Sequence, residues 1–353
     1  MRPASTTRLL PLAFALLAPG TLAAQQPASS SQAASASIAQ YDPKQWDVPF
    51  GAGTRPRDPF ADERGRVWFV GQGGNYVAYL DSRTGQFRRY EIEPGTHPHN
   101  LVVERGMVWF TGNRNGRIVR LDPATGKLTN YAIPDPSVRD PHTMVFDPKS
   151  GVAWFTAQGA GVVGRLDPKS GQFRLWKTGD GTRPYGIVVD SKGHPWFDLF
   201  GTNRIATIDP KTEQLREYTL PSARARPRRI AITSDDQIFW GDYARGYLGR
   251  LDPRTGAIEE WALPAGGASL PYAMTTDDRD VIWLAQGGRA NTPATLVAFD
   301  PREEKFVAEV PVGRPEANTI RHMTFDRATR QIWFGTDQGA IGRIAVPPPR
   351  VVP

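Results

Sequence analysis

One repeated unit runs through almost the whole chain, and its length constrains the fold more than any other feature. Each copy opens with a proline, a variable residue X, and a stretch in which apolar and polar residues alternate. The X residues follow one another at intervals of 42, 43, 43, 43, 44 and 49 positions: Arg57, His99, His142, Tyr185, Arg228, Tyr272 and, in a degenerate copy without the proline, Arg321. A period near 43 residues is typical of repeat folds in which each unit packs on the next.

Two further motifs divide each unit into short strands. One is an aromatic segment such as "VWFTG" or "AWFTA"; the other is a turn such as "LDPATG" at Asp122 or "LDPRTG" at Asp252. In that turn proline fixes the second position and glycine supplies the left-handed residue that closes it. Turn signals about every ten residues leave room for four strands in each unit. We therefore predict an all-β fold, a seven-bladed β-propeller with four-stranded antiparallel blades.

The ends of the repeat indicate how the ring closes. The seventh unit ends at "AIGRIAVPPP", one strand short, whereas "PKQWDVP" at residues 43–49 resembles the fourth strand of the other units. The N-terminal strand is therefore expected to complete the last blade, which would remove two open sheet edges. Residues 41–346 form one predicted propeller domain, followed by a proline-rich tail at 347–353.

The N-terminus is typical of an exported protein. Residues 1–24 combine a basic start, an apolar centre and the small-residue segment "TLAAQ", so we predict a signal peptide cleaved near Ala24. Residues 25–40 are expected to form a low-complexity tether. The apolar run is too short to cross a bilayer. We expect a periplasmic or secreted monomer without a membrane span.

Composition narrows the classes of ligand. The chain has no cysteine, which excludes disulfides and thiolate metal sites. Its formal charge is +7, or +5 once Arg2 and Arg8 leave with the signal. Nucleic acid is a poor partner for an exported chain, whereas a small anionic ligand suits this charge.

The X positions indicate where that ligand would bind. In a four-stranded meander every first strand enters at the same face, so the seven X residues are expected to ring one mouth of the central channel. Arginine, histidine and tyrosine there can bind carboxylate or phosphate groups. The alternative is that they are the ordinary polar lining of a wet channel. The Asp-Pro turns, and His194 in another turn, lie on the opposite face and are expected to be structural.

The repeats resemble the virginiamycin B lyase (streptogramin lyase) family. The segments "RPYGIVVDSKGHPWF" and "HPHNLVVERGMVWFTGNRNGRIVRLDPATG" carry the resemblance, which extends over residues 41–346. It implies elimination at an ester: a histidine removes the proton α to a carbonyl while Mg²⁺ polarises that carbonyl. The histidines that match the family's Pro-His pattern are His99 and His142, the predicted catalytic residues. The remaining ring members are the predicted substrate-binding residues: Arg57, Tyr185, Arg228, Tyr272 and Arg321.

The family's acidic metal partner has only one counterpart here. It lies three residues after the blade tryptophan, or after Phe239 in the fifth unit, where this chain has Gly71, Gly112, Ala157, Leu199, Asp242, Gln286 and Thr336. Asp242 is the one carboxylate and hence the one candidate ligand for Mg²⁺. Two hypotheses stay open: an exported carbon–oxygen lyase acting on an ester or anionic small molecule, and a non-catalytic envelope propeller that binds a ligand or a protein.

Overall fold

The computed structural model describes residues 38–287, 291–315 and 319–348. The predicted signal at 1–24, the tether up to residue 37 and the tail from residue 349 lie outside the described residues. The last three tether residues begin a 3₁₀ helix, Ile38–Tyr41, and a second one spans Gly266–Ala268. No helix in these described ranges has the length and hydropathy of a membrane span.

Twenty-eight strands form seven four-stranded antiparallel sheets, as predicted. The first four blades contain β2 (Pro56–Ala61), β3 (Arg66–Gly71), β4 (Tyr76–Asp81), β5 (Phe87–Glu91); β6 (Pro98–Glu104), β7 (Met107–Gly112), β8 (Arg117–Leu121), β9 (Leu128–Ala132); β10 (Pro141–Phe146), β11 (Ala153–Ala157), β12 (Val162–Leu166), β13 (Phe173–Lys177); and β14 (Pro184–Val189), β15 (Pro195–Leu199), β16 (Arg204–Ile208), β17 (Leu215–Thr219). The other three contain β18 (Pro227–Ile232), β19 (Ile238–Asp242), β20 (Tyr247–Leu251), β21 (Ile258–Ala262); β22 (Met274–Thr276), β23 (Ile282–Gln286), β24 (Ala294–Asp300), β25 (Lys305–Val312); and β26 (Ile320–Asp326), β27 (Gln331–Thr336), β28 (Ala340–Ala345), β1 (Lys44–Asp47).

The predicted closure by the N-terminal strand is confirmed. Strand β1 pairs antiparallel with β28, from Lys44 opposite Arg343 to Asp47 opposite Ala340. The indole of Trp46 stacks on that of Trp333, with ring centroids 5.6 Å apart. The last blade is therefore built from both ends of the domain, and β1 pairs the edge of β28 that would otherwise be open.

The core lies between neighbouring blades because alternate side chains of each second strand point to opposite sheet faces. In β3, Trp68 and Val70 pack in one apolar cluster, whereas Val67 and Phe69 pack in another. The first strands of successive blades contact one another around the ring, including β26 with β2. These innermost strands form the wall of the central channel.

The Asp-Pro turns hold the outer strands as the sequence predicts. Asp122 accepts a hydrogen bond on Oδ1 from the N–H of Ala124 at 2.9 Å. The N–H of Gly126 donates to the carbonyl of Asp122 at 2.8 Å, and Gly126 has a φ of +74°. Glycine adopts that left-handed conformation without steric cost. These aspartates are therefore turn residues.

Candidate functional site

A backbone irregularity sets the direction of the ring side chains. Six of the seven X residues are the second residue of their first strand, and Tyr272 lies two residues before β22. The pairing of first and second strands shifts register at or directly after the X residue in six blades. Such bulges re-aim side chains at functional sites. Here they bring the X residues together inside the channel.

The two predicted catalytic histidines are in direct contact. Their ring centroids are 3.7 Å apart, and the His142 ring lies 4.1 Å from that of Tyr185. His99 Nδ1 is 3.2 Å from the carbonyl oxygen of His142, and His142 Nδ1 is 2.9 Å from Oγ1 of Thr143. A nitrogen that faces a carbonyl must carry the proton, so Nε2 of neutral His99 is left as a proton acceptor.

Both imidazoles are held in the neutral form. Burial lowers the pKa of His99 and of His142 well below the usual value, because desolvation penalises the charged ring. Arg57 adds to this effect at His99, and Arg229 adds to it at His142. Burial is therefore the larger cause of the lowered pKa at both rings, and the neighbouring arginines are the smaller one.

The expectation that these rings face a wet channel mouth is wrong. His99 is 4% exposed, His142 3% and Tyr185 3%. The cavity that touches Tyr272 has a volume of only about 40 Å³ and is also lined by Tyr243 and Gln286. Ring stacking among the X residues therefore closes the channel around the two imidazoles, although a cavity of about 280 Å³ opens at the mouth beside Gln72, His97 and Asn113. A ligand can reach the imidazoles only if side chains above them move.

Two of the predicted substrate-binding residues, Tyr185 and Tyr272, form a hydrogen-bonded pair. The hydroxyls of Tyr185 and Tyr272 are joined by a short hydrogen bond. Burial, followed by the neighbouring Tyr272, raises the pKa of Tyr185 to about 12. Burial also opposes ionisation of Tyr272, but Arg228, Arg57 and Arg229 outweigh it and lower the pKa of Tyr272 to about 8. The pair thus offers one strong and one weak hydrogen-bond donor beside the histidines.

Arg228 is caged by aromatic rings. Its guanidinium carbon lies 3.8 Å from the ring centroid of Tyr272, 4.2 Å from that of Tyr243 and 4.8 Å from that of Phe200. Cation–π attraction orients the side chain without neutralising its charge. Within the described ranges no carboxylate forms an ion pair with Arg228, and its Nε has no hydrogen-bond partner. This half-buried guanidinium is the ring member best placed to meet an anion.

The other two ring arginines are paired. Arg57 Nε lies 3.1 Å from Oδ1 of the buried Asp58, and Nη1 donates to Gln72 Oε1 at 3.1 Å. Arg321 makes a bidentate ion pair with Asp337, at 2.8 Å for Nε–Oδ1 and 2.6 Å for Nη2–Oδ2. These two guanidinium groups are therefore fixed in place by the protein itself.

One residue of the site, Arg229, was not predicted from the sequence. Arg229 extends from the fifth blade across the channel, where Nη1 donates to Oγ1 of Thr143 at 2.9 Å and Nε donates to the carbonyl of Arg321 at 3.1 Å. It is 3% exposed, and its Nη2 has no partner in the described part of the chain. The concentrated basic run at 224–229 was the available signal, but Arg229 is not at an X position.

The charges in the site do not balance. Four guanidinium groups (Arg57, Arg228, Arg229 and Arg321) face the two carboxylates that pair with them, Asp58 and Asp337. Burial raises the pKa of a third buried carboxyl group, Asp198, well above the usual value, and the four guanidinium groups outnumber all three carboxyl groups together. The mouth half of the channel thus carries a surplus of positive charge in a largely desolvated place, which favours an anionic ligand.

The predicted metal ligand is unsuited to Mg²⁺. Asp242 Oδ1 accepts hydrogen bonds from the N–H groups of Arg226 at 3.0 Å and Arg245 at 3.2 Å, and Oδ2 accepts from Arg245 Nη1 at 3.1 Å. Both oxygens are thus occupied. Across the described residues, no group of three or more histidine, aspartate or glutamate side chains could hold a metal ion. The residues present do not fit the cation that the family resemblance implies.

Comparisons with known proteins agree with this architecture. No curated protein matches the sequence. A streptogramin B lyase structure is 25% identical with a TM-score of 0.76, and the match covers 86% of this chain and 97% of that one. A catalytically inactive variant of virginiamycin B lyase from Staphylococcus aureus with quinupristin is 23% identical with a TM-score of 0.76, covering 86% and 99%.

A more distant structure shares the fold alone. The extracellular domain of a hybrid two component system from B. thetaiotaomicron is 17% identical with a TM-score of 0.64, and the match covers 86% of this chain and 42% of that one. A family profile described as the virginiamycin B lyase family matches residues 102–347. The predicted resemblance is therefore confirmed, and this chain belongs to the virginiamycin B lyase family.

Proposed function

We propose that this protein is a carbon–oxygen lyase that binds a small anionic or ester-containing molecule at the mouth half of the channel. The observation that carries the proposal is that two neutral imidazoles in mutual contact lie in the field of guanidinium groups that outnumber the carboxylates paired with them. A neutral imidazole can accept a proton, and fixed guanidinium groups can stabilise the charge that then develops on oxygen.

The proposed step is assigned to the chain's own residues. His99 Nε2 removes the proton α to the substrate carbonyl, and the electron pair of that C–H bond forms a new carbon–carbon double bond. The β-carbon–oxygen bond of the ester breaks, and its electron pair leaves on the oxygen as a carboxylate. Arg228 and Arg321 are the charged groups that face the mouth, and they are assigned the role of stabilising that oxygen.

Access requires movement of the side chains that cover the imidazoles. Arg228 is half-buried and held by stacking, which is weaker than an ion pair, so it is the group expected to swing outward. When an anion binds, the Arg228 guanidinium would give up its contacts with the aromatic rings. It would form a charge-assisted hydrogen bond to the anion instead.

A second candidate function is non-catalytic ligand binding at the same mouth. The deep burial of both imidazoles and the occupied carboxylate of Asp242 favour it. In this alternative the arginine-rich mouth binds an anionic molecule, and the histidines serve only to pack the channel.

Turnover of an ester substrate separates the two candidates. Quinupristin is a suitable probe because a structural relative binds it. Products are followed by mass spectrometry for the wild-type protein, His99→Ala, His142→Ala and the control His194→Ala on the opposite face. The lyase proposal predicts a mass-neutral ring opening that falls about a hundred- to ten-thousand-fold in either ring variant and is unchanged in the control. Ligand binding without any product, equal in all four proteins, would support the binding function and overturn the lyase.

We also propose that the protein is exported after cleavage near Ala24. The basic, apolar and small-residue segments of residues 1–24 support this inference.

A further inference from the structure

The other half of the channel holds a cavity that the proposed lyase site does not use. It has a volume of about 330 Å³, within the range of small-molecule pockets. All seven blades contribute to its wall through residues that follow the X positions along the first strands. Because every first strand runs from the mouth toward the first turn of its blade, this cavity lies on the turn side of the channel. We call it the turn-side cavity.

The wall of the turn-side cavity combines apolar and polar side chains. Six of the apolar residues that line it are Phe60, Met144, Val188, Ile232, Met274 and Met323. Three of the chain's five methionines are among them. Methionine side chains adapt to irregular ligand shapes, and the same wall also presents the polar side chains of Asn100, Thr143 and Arg327.

Arg229 separates the cavity from the proposed lyase site. Its guanidinium spans the channel from the fifth blade to Thr143 of the third and to the backbone of Arg321 in the seventh. Arg57 and Asp58 lie in the same layer, and Asp58 Oδ2 accepts a hydrogen bond from Asn100 Nδ2 at 2.8 Å. This layer contains two guanidinium groups and one carboxylate, so the polar end of the cavity carries a net positive charge.

Polar atoms without partners also lie at the cavity. His322 and Thr276 line it, and neither His322 Nδ1 nor Thr276 Oγ1 has a hydrogen-bond partner among the described residues. Arg229 Nη2, in the layer behind, lacks one as well. Buried polar atoms are nearly always paired, so a ligand head or an ordered water that enters this layer would meet hydrogen-bonding atoms that the protein leaves unused.

We propose that the turn-side cavity binds an amphiphile with an apolar body and a single anionic head, such as a medium-chain monocarboxylate. The body lies along the methionine and aliphatic wall. The head lies against His322 and the Arg229 layer. This site is independent of the lyase proposal, since the two are on opposite sides of Arg229.

A series of ligands with one tail and three heads tests the assignment on the wild-type protein. Isothermal titration calorimetry would compare dodecanoate, dodecanol and dodecylammonium. We expect dodecanoate to bind with a stoichiometry of one and the ammonium compound to bind at least about ten-fold more weakly, because only the carboxylate complements the positive layer. No binding of dodecanoate up to its solubility limit, or equal binding of the ammonium compound, would overturn the proposal.

Two wall variants locate the site. Val188→Phe and Val145→Phe each add bulk to a residue that lines the cavity, whereas Val103→Phe adds it to a first-strand residue outside the cavity. We expect the first two to weaken dodecanoate binding at least about ten-fold and the control to bind like the wild type, with circular dichroism reporting the fold of each. If a folded Val188 or Val145 variant binds dodecanoate like the wild type, the ligand lies elsewhere and the proposal fails.

Discussion

At the scale of single residues, burial rather than neighbouring charge governs the histidines of the channel. His99, His142 and His322 all have a lowered pKa, and desolvation by burial is the largest cause for each. At His322 the pKa falls to about 4, although the carboxylate of Asp58 acts to raise it. Neutral imidazoles at physiological pH are what a proton acceptor requires.

This burial predicts how stability depends on pH. In the unfolded chain a histidine has a pKa of about 6.5, so below that value the unfolded state binds more protons than the folded state. Each such histidine therefore lowers the free energy of unfolding by about 1.4 kcal/mol per pH unit as the pH falls below about 6.5. For His322 the loss continues until about pH 4.

Urea unfolding of His322→Gln checks this prediction between pH 6.5 and 4.5. The variant should lose less stability than the wild type over that range, by about 1.4 kcal/mol per pH unit. His97→Gln, in a loop at the mouth, is the matched control and should follow the wild type. Identical pH dependence of His322→Gln and the wild type would show that His322 is not held neutral by the fold.

At the scale of elements, the N-terminal strand and its flanking residues stabilise the ring through side-chain packing as well as through four residues of backbone pairing. Trp46 stacks on Trp333, and Tyr41, in the preceding 3₁₀ helix, contacts Trp283 edge to face at 5.9 Å. Val48 is buried just after the strand. These side chains attach the start of the domain to the sixth and seventh blades.

Deletion of residues 38–50 should therefore destabilise the whole ring. Loss of several buried apolar side chains, each contributing about 1.5–3 kcal/mol, would lower the melting temperature by about 10 °C or more. Deletion of residues 25–37 is the control and should leave melting unchanged. Equal melting temperatures for the two deletions, measured by scanning calorimetry, would contradict the role assigned to β1.

At the scale of the whole molecule, the repeat carried most of the information about the fold. The constant interval between X residues, the turn motif and the three-strand seventh unit were enough to predict seven blades and their closure by residues 43–49. The chemistry of the site was less accessible. His99 and His142 are buried because of ring stacking that includes Tyr185 and because Arg229 spans the channel. The stacking and the position of Arg229 depend on strand bulges, which the interval between X residues does not encode.

Export is also a property of the whole chain. If residues 1–24 are a signal peptide, the natural protein should begin near Gln25, carry a formal charge of +5 and behave as a soluble monomer. Intact-mass spectrometry of the protein from its own host checks the first residue. A chain that retains Met1 in the cytoplasmic fraction would refute export.

The surplus of positive charge in the mouth half of the channel can be tested by locating bound anions. A crystal structure of the protein in bromide, with anomalous scattering to locate the ion, would show where anions bind. We expect bromide within contact distance of the Arg228 guanidinium. We also expect that guanidinium to have moved from its aromatic cage toward the mouth. Bromide found only on the outer surface, with Arg228 still stacked on Tyr272, would contradict it.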